Sequence, residues 1–178
     1  MLDVIIMISK STPHAFVDEC QRTVRVAADV ATYPVNVIEV PGVPGHIGKA
    51  MLAGLARSTA TYVAWVDDDD FVLPNAFSCL QRHFDAKPSA ICAREIQLLA
   101  NSSLVAVDRR HHLTAFRREV VDTVDLANIP ARPNVALHNA ATNGAVDEFS
   151  WVYVWRRRRS AAMHLRANTA AAARKVSR

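Results

Sequence analysis

Residues 62–66, Tyr-Val-Ala-Trp-Val, are apolar at every position and run directly into four consecutive aspartates, residues 67–70. A short continuous apolar run bounded by turn residues is the pattern of a strand buried on both faces, as inside a parallel sheet. In an open parallel sheet, ligands bind at the carboxyl ends of the strands, so the aspartates stand where chemistry belongs. Neighbouring carboxylates repel unless a cation neutralises them. Hard oxygen donors suit Mg2+ or Mn2+, which fill their remaining positions with substrate phosphates. The expectation is a divalent cation bridging to a diphosphate. Because successive side chains alternate, the four cannot all face one ion, and Asp68 is read as the one left to solvent.

The flanking sequence supports that placement. Residues 3–9 form another near-continuous apolar run, and Pro13 opens a segment in which Phe16, Val17, Cys20, Val24, Ala27 and Ala28 recur at helical spacing. Residues 35–40 read as a second strand, ended by the turn signal "PGVPG", and residues 47–58 as a second helix. Pro74 suits the first turn of a helix over 74–85. Strand and helix alternating three times imply a doubly wound α/β sheet. Beyond Pro88, two strands are expected around the "NSS" turn, then a short helix at 117–127, then a long loop over 128–146.

A chain of 178 residues suffices for one domain with a real core. No apolar run reaches membrane-spanning length, the first ten residues read as a strand, and a cytoplasmic location is expected. Cys20, Cys79 and Cys92 are scattered without metal-ligand spacing and are read as reduced core residues. The net charge of +4 is unevenly spread. Every acid lies in residues 1–155, whereas the last stretch, 156–178, carries eight Lys/Arg and no acid. Such a basic tail fits contact with DNA or with an anionic membrane surface, or simple solvation.

The block "GHIGKAMLAGLARSTATYVAWVDDDDFVLPNAFSCLQRHF" resembles the central segment of glycosyltransferase family 2. "VIIMISKSTPHAFVDECQRTV", "TYPVNVIEV" and "HHLTAFRREVVDTV" resemble that family's first strand and helix, its second strand, and its segment after the central sheet. The resemblance covers roughly residues 3–126. It implies a GT-A fold, a Rossmann-related, mostly parallel sheet flanked by helices in one compact domain. On that reading residues 1–88 bind a nucleoside-diphosphate sugar, residues 89–155 face the acceptor, and the tail is separate. It further implies an inverting, metal-dependent transferase acting on a hydroxyl acceptor such as a glycan, to which the basic tail adds a lipid-linked sugar or a modified DNA base.

Carried over by position, Asp69 and Asp70 would hold the Mn2+ or Mg2+, and Asp67 would meet the nucleotide. Lys49 at a helix start is a candidate for phosphate, Ser9 for a hydroxyl contact, and Glu39 for the base-reading place. The departures are equally specific. The second strand lacks the usual Asp-Asp-Gly-Ser ending, the next strand is missing, and the fold looks trimmed. The family's catalytic base usually comes from a Glu-Asp pair at the start of a helix. Asp147 and Glu148 are the downstream acidic pair, in reversed order, and either is a candidate base. His164 or His138 is a candidate further metal ligand, and the pair His111 and His112 could face the acceptor.

Two other readings compete. A phosphohydrolase of the haloacid-dehalogenase type would carry its aspartates on the first strand, and Phe71 stands where its Thr/Val belongs. A non-catalytic nucleic-acid-binding protein on a decayed transferase fold is the alternative, and a homodimer that completes the site of so short a chain is a further expectation.

Overall fold

The structure is a computed structural model that describes residues 1–99, 101–107, 112–129 and 132–156. Three parallel strands come first: β1 (Leu2–Ile8), β2 (Val35–Pro41) and β3 (Tyr62–Asp67), joined by α1 (His14–Val30) and α2 (Ile47–Leu55). β1 lies between β2 and β3, parallel to both. These strands are apolar on both faces because both faces are covered. Val4, Ile6, Ala64 and Val66 pack with Cys20 and Val24 of α1, whereas Ile5, Val63 and Trp65 pack with Met51 and Leu55 of α2.

Past β3 the sheet changes direction. The short β4 (Phe71–Val72) and α3 (Ser78–Gln81) lead to β5 (Ala90–Leu98), β6 (Leu104–Val107) and β7 (Thr114–Arg117). Then come α4 (Arg118–Val121), α5 (Pro133–Ala141) and the long β8 (Ala145–Arg156). The strand order is β2-β1-β3-β7-β5-β8-β4, with β6 on β5. β7 runs antiparallel to β3 and β5, while β8 returns parallel to β5 and carries β4 antiparallel on its other edge. The expected single α/β domain is found, parallel in its first half and mixed in its second.

Three local expectations need correction. The helix expected over 74–85 shrinks to α3 and a 3-10 turn at Phe84–Ala86. The helix expected over 117–127 is α4 followed by a 3-10 turn at Leu126–Asn128. The long loop over 128–146 contains α5, which begins at Pro133; a proline that reads as a loop signal serves here as a first helical residue. The three cysteines are buried and unbridged, as expected. Among the described residues no helix is long and apolar enough to cross a membrane.

One glycine fixes how α2 sits. A Cβ at Gly48 would lie 2.1 Å from the Leu126 carbonyl oxygen and 2.8 Å from that of Ile129, so α2 rests directly on backbone. Those carbonyls cannot swing aside as a side chain can. Gly48→Ala is therefore expected to lower unfolding free energy by about 1–3 kcal/mol despite alanine's better helix propensity. Urea unfolding checks this.

Candidate functional site

The turn after β3 sends its four carboxylates to different places. Its backbone closes by a hydrogen bond from the Asp70 N–H to the Asp67 carbonyl, 3.1 Å. Asp67, the last residue of β3, is exposed, and Asp69 is half-buried. Both line a cleft of about 600 Å3 at the carboxyl ends of β1 and β3, together with Asp68, Ser9, Lys10 and Thr12, and with the start of α2 along its edge. A cleft of this size lies within the range of small-molecule sites.

Asp68 is not left to solvent. It is 6% exposed, and its carboxylate accepts hydrogen bonds from the Ser9 N–H at 2.6 Å and the Thr12 hydroxyl at 3.0 Å. The side chain clamps the loop after β1 against the aspartate turn, shaping one wall of the cleft.

Asp70 is buried as well, and it points away from the cleft. It accepts from the Tyr153 hydroxyl and the Arg156 N–H, both at 2.7 Å. Burial, reinforced by the charges of Asp67 and Asp69, pushes its pKa up to about 8 against those hydrogen bonds. The metal role expected of Asp70 does not suit this position, because its oxygens are turned to β8. Arg156 completes the tie. Its guanidinium donates to the Asp69 carbonyl at 2.9 Å, pairs with Glu19, and stacks 4.0 Å over the Phe16 ring. Arg156 thus belongs to β8 and not to a separate tail; the rest of the basic stretch, with His164, lies outside the described residues.

The remaining candidates divide. Ser9 lines the cleft. Lys49 is exposed on α2 and is not among the cleft-lining residues, whereas Lys10, which the sequence reading did not single out, is. Glu39 lines a neighbouring pocket of about 450 Å3 that shares Ser9, Lys10 and Thr12 with the cleft. There it pairs with Arg25 at 2.7 Å and accepts from Gln21 at 2.9 Å.

Asp147 and Glu148 begin no helix; both lie on β8. Glu148 is 2% exposed on the α3 side of the sheet, bonded to Arg82 at 2.7 Å, to His83 at 2.9 Å and to Ser150. Enclosed there, it is not among the residues lining the cleft, and the catalytic role expected of it does not suit this position. Asp147 pairs in register with Cys92, on the opposite face from Glu148, and is not among the residues lining the cleft. His138 lies 3.4 Å from the Thr114 hydroxyl and edge-on to Phe116, among α5 and β7 side chains.

A third, smaller pocket of about 160 Å3 adjoins the cleft through Met7, Ile47 and Asp67, and holds His112, Thr114 and Asn134. His112 pairs with buried Glu95. That pairing was invisible in sequence, because β5 and β7 had first to be placed side by side.

Among the described residues no three His, Cys, Asp or Glu side chains converge on a point as a metal cage would require. Asp67 and Asp69 at the cleft instead fit a Mg2+ or Mn2+ ion held by one or two carboxylates and completed by water and substrate phosphate.

Residues 15–109 match the sequence profile of glycosyl transferase family 2, more than half of the chain, and the chain belongs to that family. No curated protein sequence matches it. In fold it is similar to S. aureus TarS 1–349, with a TM-score of 0.65 at 12% identity over 87% of this chain and 60% of that one. TarS 1–349 in complex with UDP-GlcNAc gives the same score over 88% and 58%. Rv0371c from Mycobacterium tuberculosis H37Rv has a TM-score of 0.51 at 16% identity, over 82% and 88%. At these identities the likeness is one of fold alone. The chain spans about three fifths of the TarS 1–349 chains it matches.

Glu148 supports the sheet, with a pH signature. Burial raises its pKa, but the hydrogen bonds from Ser150 and His83 and the Arg82 charge outweigh burial and hold it below the usual 4.5. The folded state therefore binds the proton more weakly than the unfolded chain. Its contribution is full above pH 4.5 and is lost as pH falls through the lowered value. Glu148→Gln should cost about 1–3 kcal/mol at pH 7 and flatten the acid limb of stability against pH, measured by urea unfolding.

Proposed function

We propose that the chain acts as a metal-dependent, inverting glycosyltransferase that takes a nucleoside-diphosphate sugar into the cleft beyond β1 and β3. The observation that carries this reading is the pair Asp67 and Asp69 at a cleft that Lys10 also lines, in a family 2 chain. Mg2+ or Mn2+ bound there would offset the charge of the diphosphate and stabilise it as a leaving group. Lys10 supplies positive charge at the same cleft. The nucleoside extends over Ser9 and Thr12 toward the pocket that holds Glu39, since the two spaces share those residues. The acceptor hydroxyl enters from the β7 and α5 side, through the smaller pocket beyond Asp67. TarS 1–349 is known in complex with UDP and with UDP-GlcNAc, which makes a uridine donor the first to test.

Thermal unfolding with nucleoside diphosphates, with and without Mn2+, tests the reading. At a hundredfold excess over Kd, one-site binding contributes about 2.7 kcal/mol, or a Tm rise of about 5–10 °C for a chain of this size. UDP should give that rise only with Mn2+. Asp69→Asn should abolish it, whereas Asp68→Asn should lower the starting Tm and keep a metal-dependent rise. If no nucleoside diphosphate gives a metal-dependent shift, the reading is wrong.

A further inference from the structure

Glu95 is 1% exposed, and its Oε1 has no hydrogen-bond partner among the described residues. A buried carboxylate is costly unless paired, and the partner found for its other oxygen is Nδ1 of His112. The pairing of β5 with β8 slips twice around Arg94, immediately before Glu95. Such bulges re-aim side chains, and this one precedes a carboxylate aimed at an imidazole. The His112 ring is further fixed by stacking on Tyr153 at 5.4 Å and on Trp155 at 5.2 Å. It borders the small pocket that adjoins the cleft through Asp67.

Among the side chains lining that pocket, the Asp67 carboxylate and the His112 imidazole are the two that can accept a proton. Asp67 also lines the cleft, where the cation and diphosphate are placed, so a carboxylate committed there is a poor proton acceptor. The carboxylate of Glu148 faces the other side of the sheet. His112 is the group left with both the position and the chemistry.

We propose that His112 is the catalytic base of this site and that Glu95 is its positioning residue. The inference rests on the transferase reading and names the proton acceptor for it. With Nδ1–H directed at Glu95, the tautomer places the lone pair on Nε2. The acceptor oxygen forms its bond to the anomeric carbon as its proton passes to Nε2. The bond from that carbon to the diphosphate oxygen breaks, and its electron pair leaves with the nucleoside diphosphate. Burial lowers the His112 pKa, but the hydrogen bond and charge of Glu95 oppose it and the value is raised; Asp67 and Asp70 act in the same direction only while they are charged and no cation is bound. Those groups on β5, β3 and the aspartate turn, with Tyr153 on β8, face the ring.

The test uses the full chain with Mn2+, UDP-GlcNAc as donor and water as acceptor, reading UDP release, with UDP affinity measured separately by calorimetry. His112→Gln should keep UDP affinity within about threefold and lower kcat by about a hundredfold or more, the scale of a general base. Glu95→Gln should lower kcat less and move the ascending limb of kcat/KM to lower pH, a shift that a purely structural pair would not give. Imidazole in solution should partly restore His112→Gly. His112→Gln turning over at close to the unaltered rate, or an unmoved limb in Glu95→Gln, overturns the proposal. If the unaltered chain binds UDP but never releases it from UDP-GlcNAc, the dyad's role falls while the donor site stands. If it binds no nucleoside diphosphate, the transferase reading falls first and the dyad's role with it.

Discussion

Four adjacent carboxylates at the end of a buried strand can coexist only if they are kept from competing for one place. The tie between Asp70 and β8 is what enforces this. Tyr153 and the Arg156 backbone hold its carboxylate inside the sheet, while the Arg156 guanidinium takes the Asp69 carbonyl and reaches across to Glu19 and Phe16 of α1. Asp68, turned the other way, holds the loop after β1. Asp70 is thus away from the cleft, and Asp68 lines it with a carboxylate already bonded to Ser9 and Thr12, beside Asp67 and Asp69. Two carboxylates are enough for a cation that shares its shell with a substrate diphosphate, and four at one point would repel.

The tie also explains why β8 is long. It starts beside β5 under α3, where Glu148 is enclosed by Arg82 and His83, and ends twelve residues on against the aspartate turn. One strand of the mixed half is therefore tied to the turn that ends β3, the last strand of the parallel half. Tyr153, which bonds Asp70, also stacks against His112, so the aspartate turn and the small pocket are held by the same side chain.

Much of this was legible in sequence. Both-face burial of β1 and β3 follows from unbroken apolar runs, and the position of the aspartates follows from where a parallel sheet binds ligands. What was not legible depended on pairings distant along the chain. Asp68 and Asp70 look alike as neighbours, and only Thr12 on one side and Tyr153 on the other make them structural. The pair Asp147 and Glu148 was read at a helix start, but Ala145 to Arg156 is a strand, whose alternation sends the two acids to opposite faces. Pro133 hid α5 inside an apparent loop, so the helix that lines the small pocket was missed. The Glu95–His112 pair needs β5 and β7 side by side, which no local pattern announces.

The division of labour among the four aspartates is the central claim, and a crystal soaked with UDP and Mn2+ tests it most directly through the anomalous signal of the metal. The account predicts one Mn2+ about 2.1 Å from carboxylate oxygen of Asp69, Asp67 or both and shared with the diphosphate, while Asp68 stays on Thr12 and Asp70 on Tyr153. A Mn2+ ion coordinated by Asp70, or a diphosphate bound outside the cleft between the loop after β1 and the aspartate turn, would contradict it.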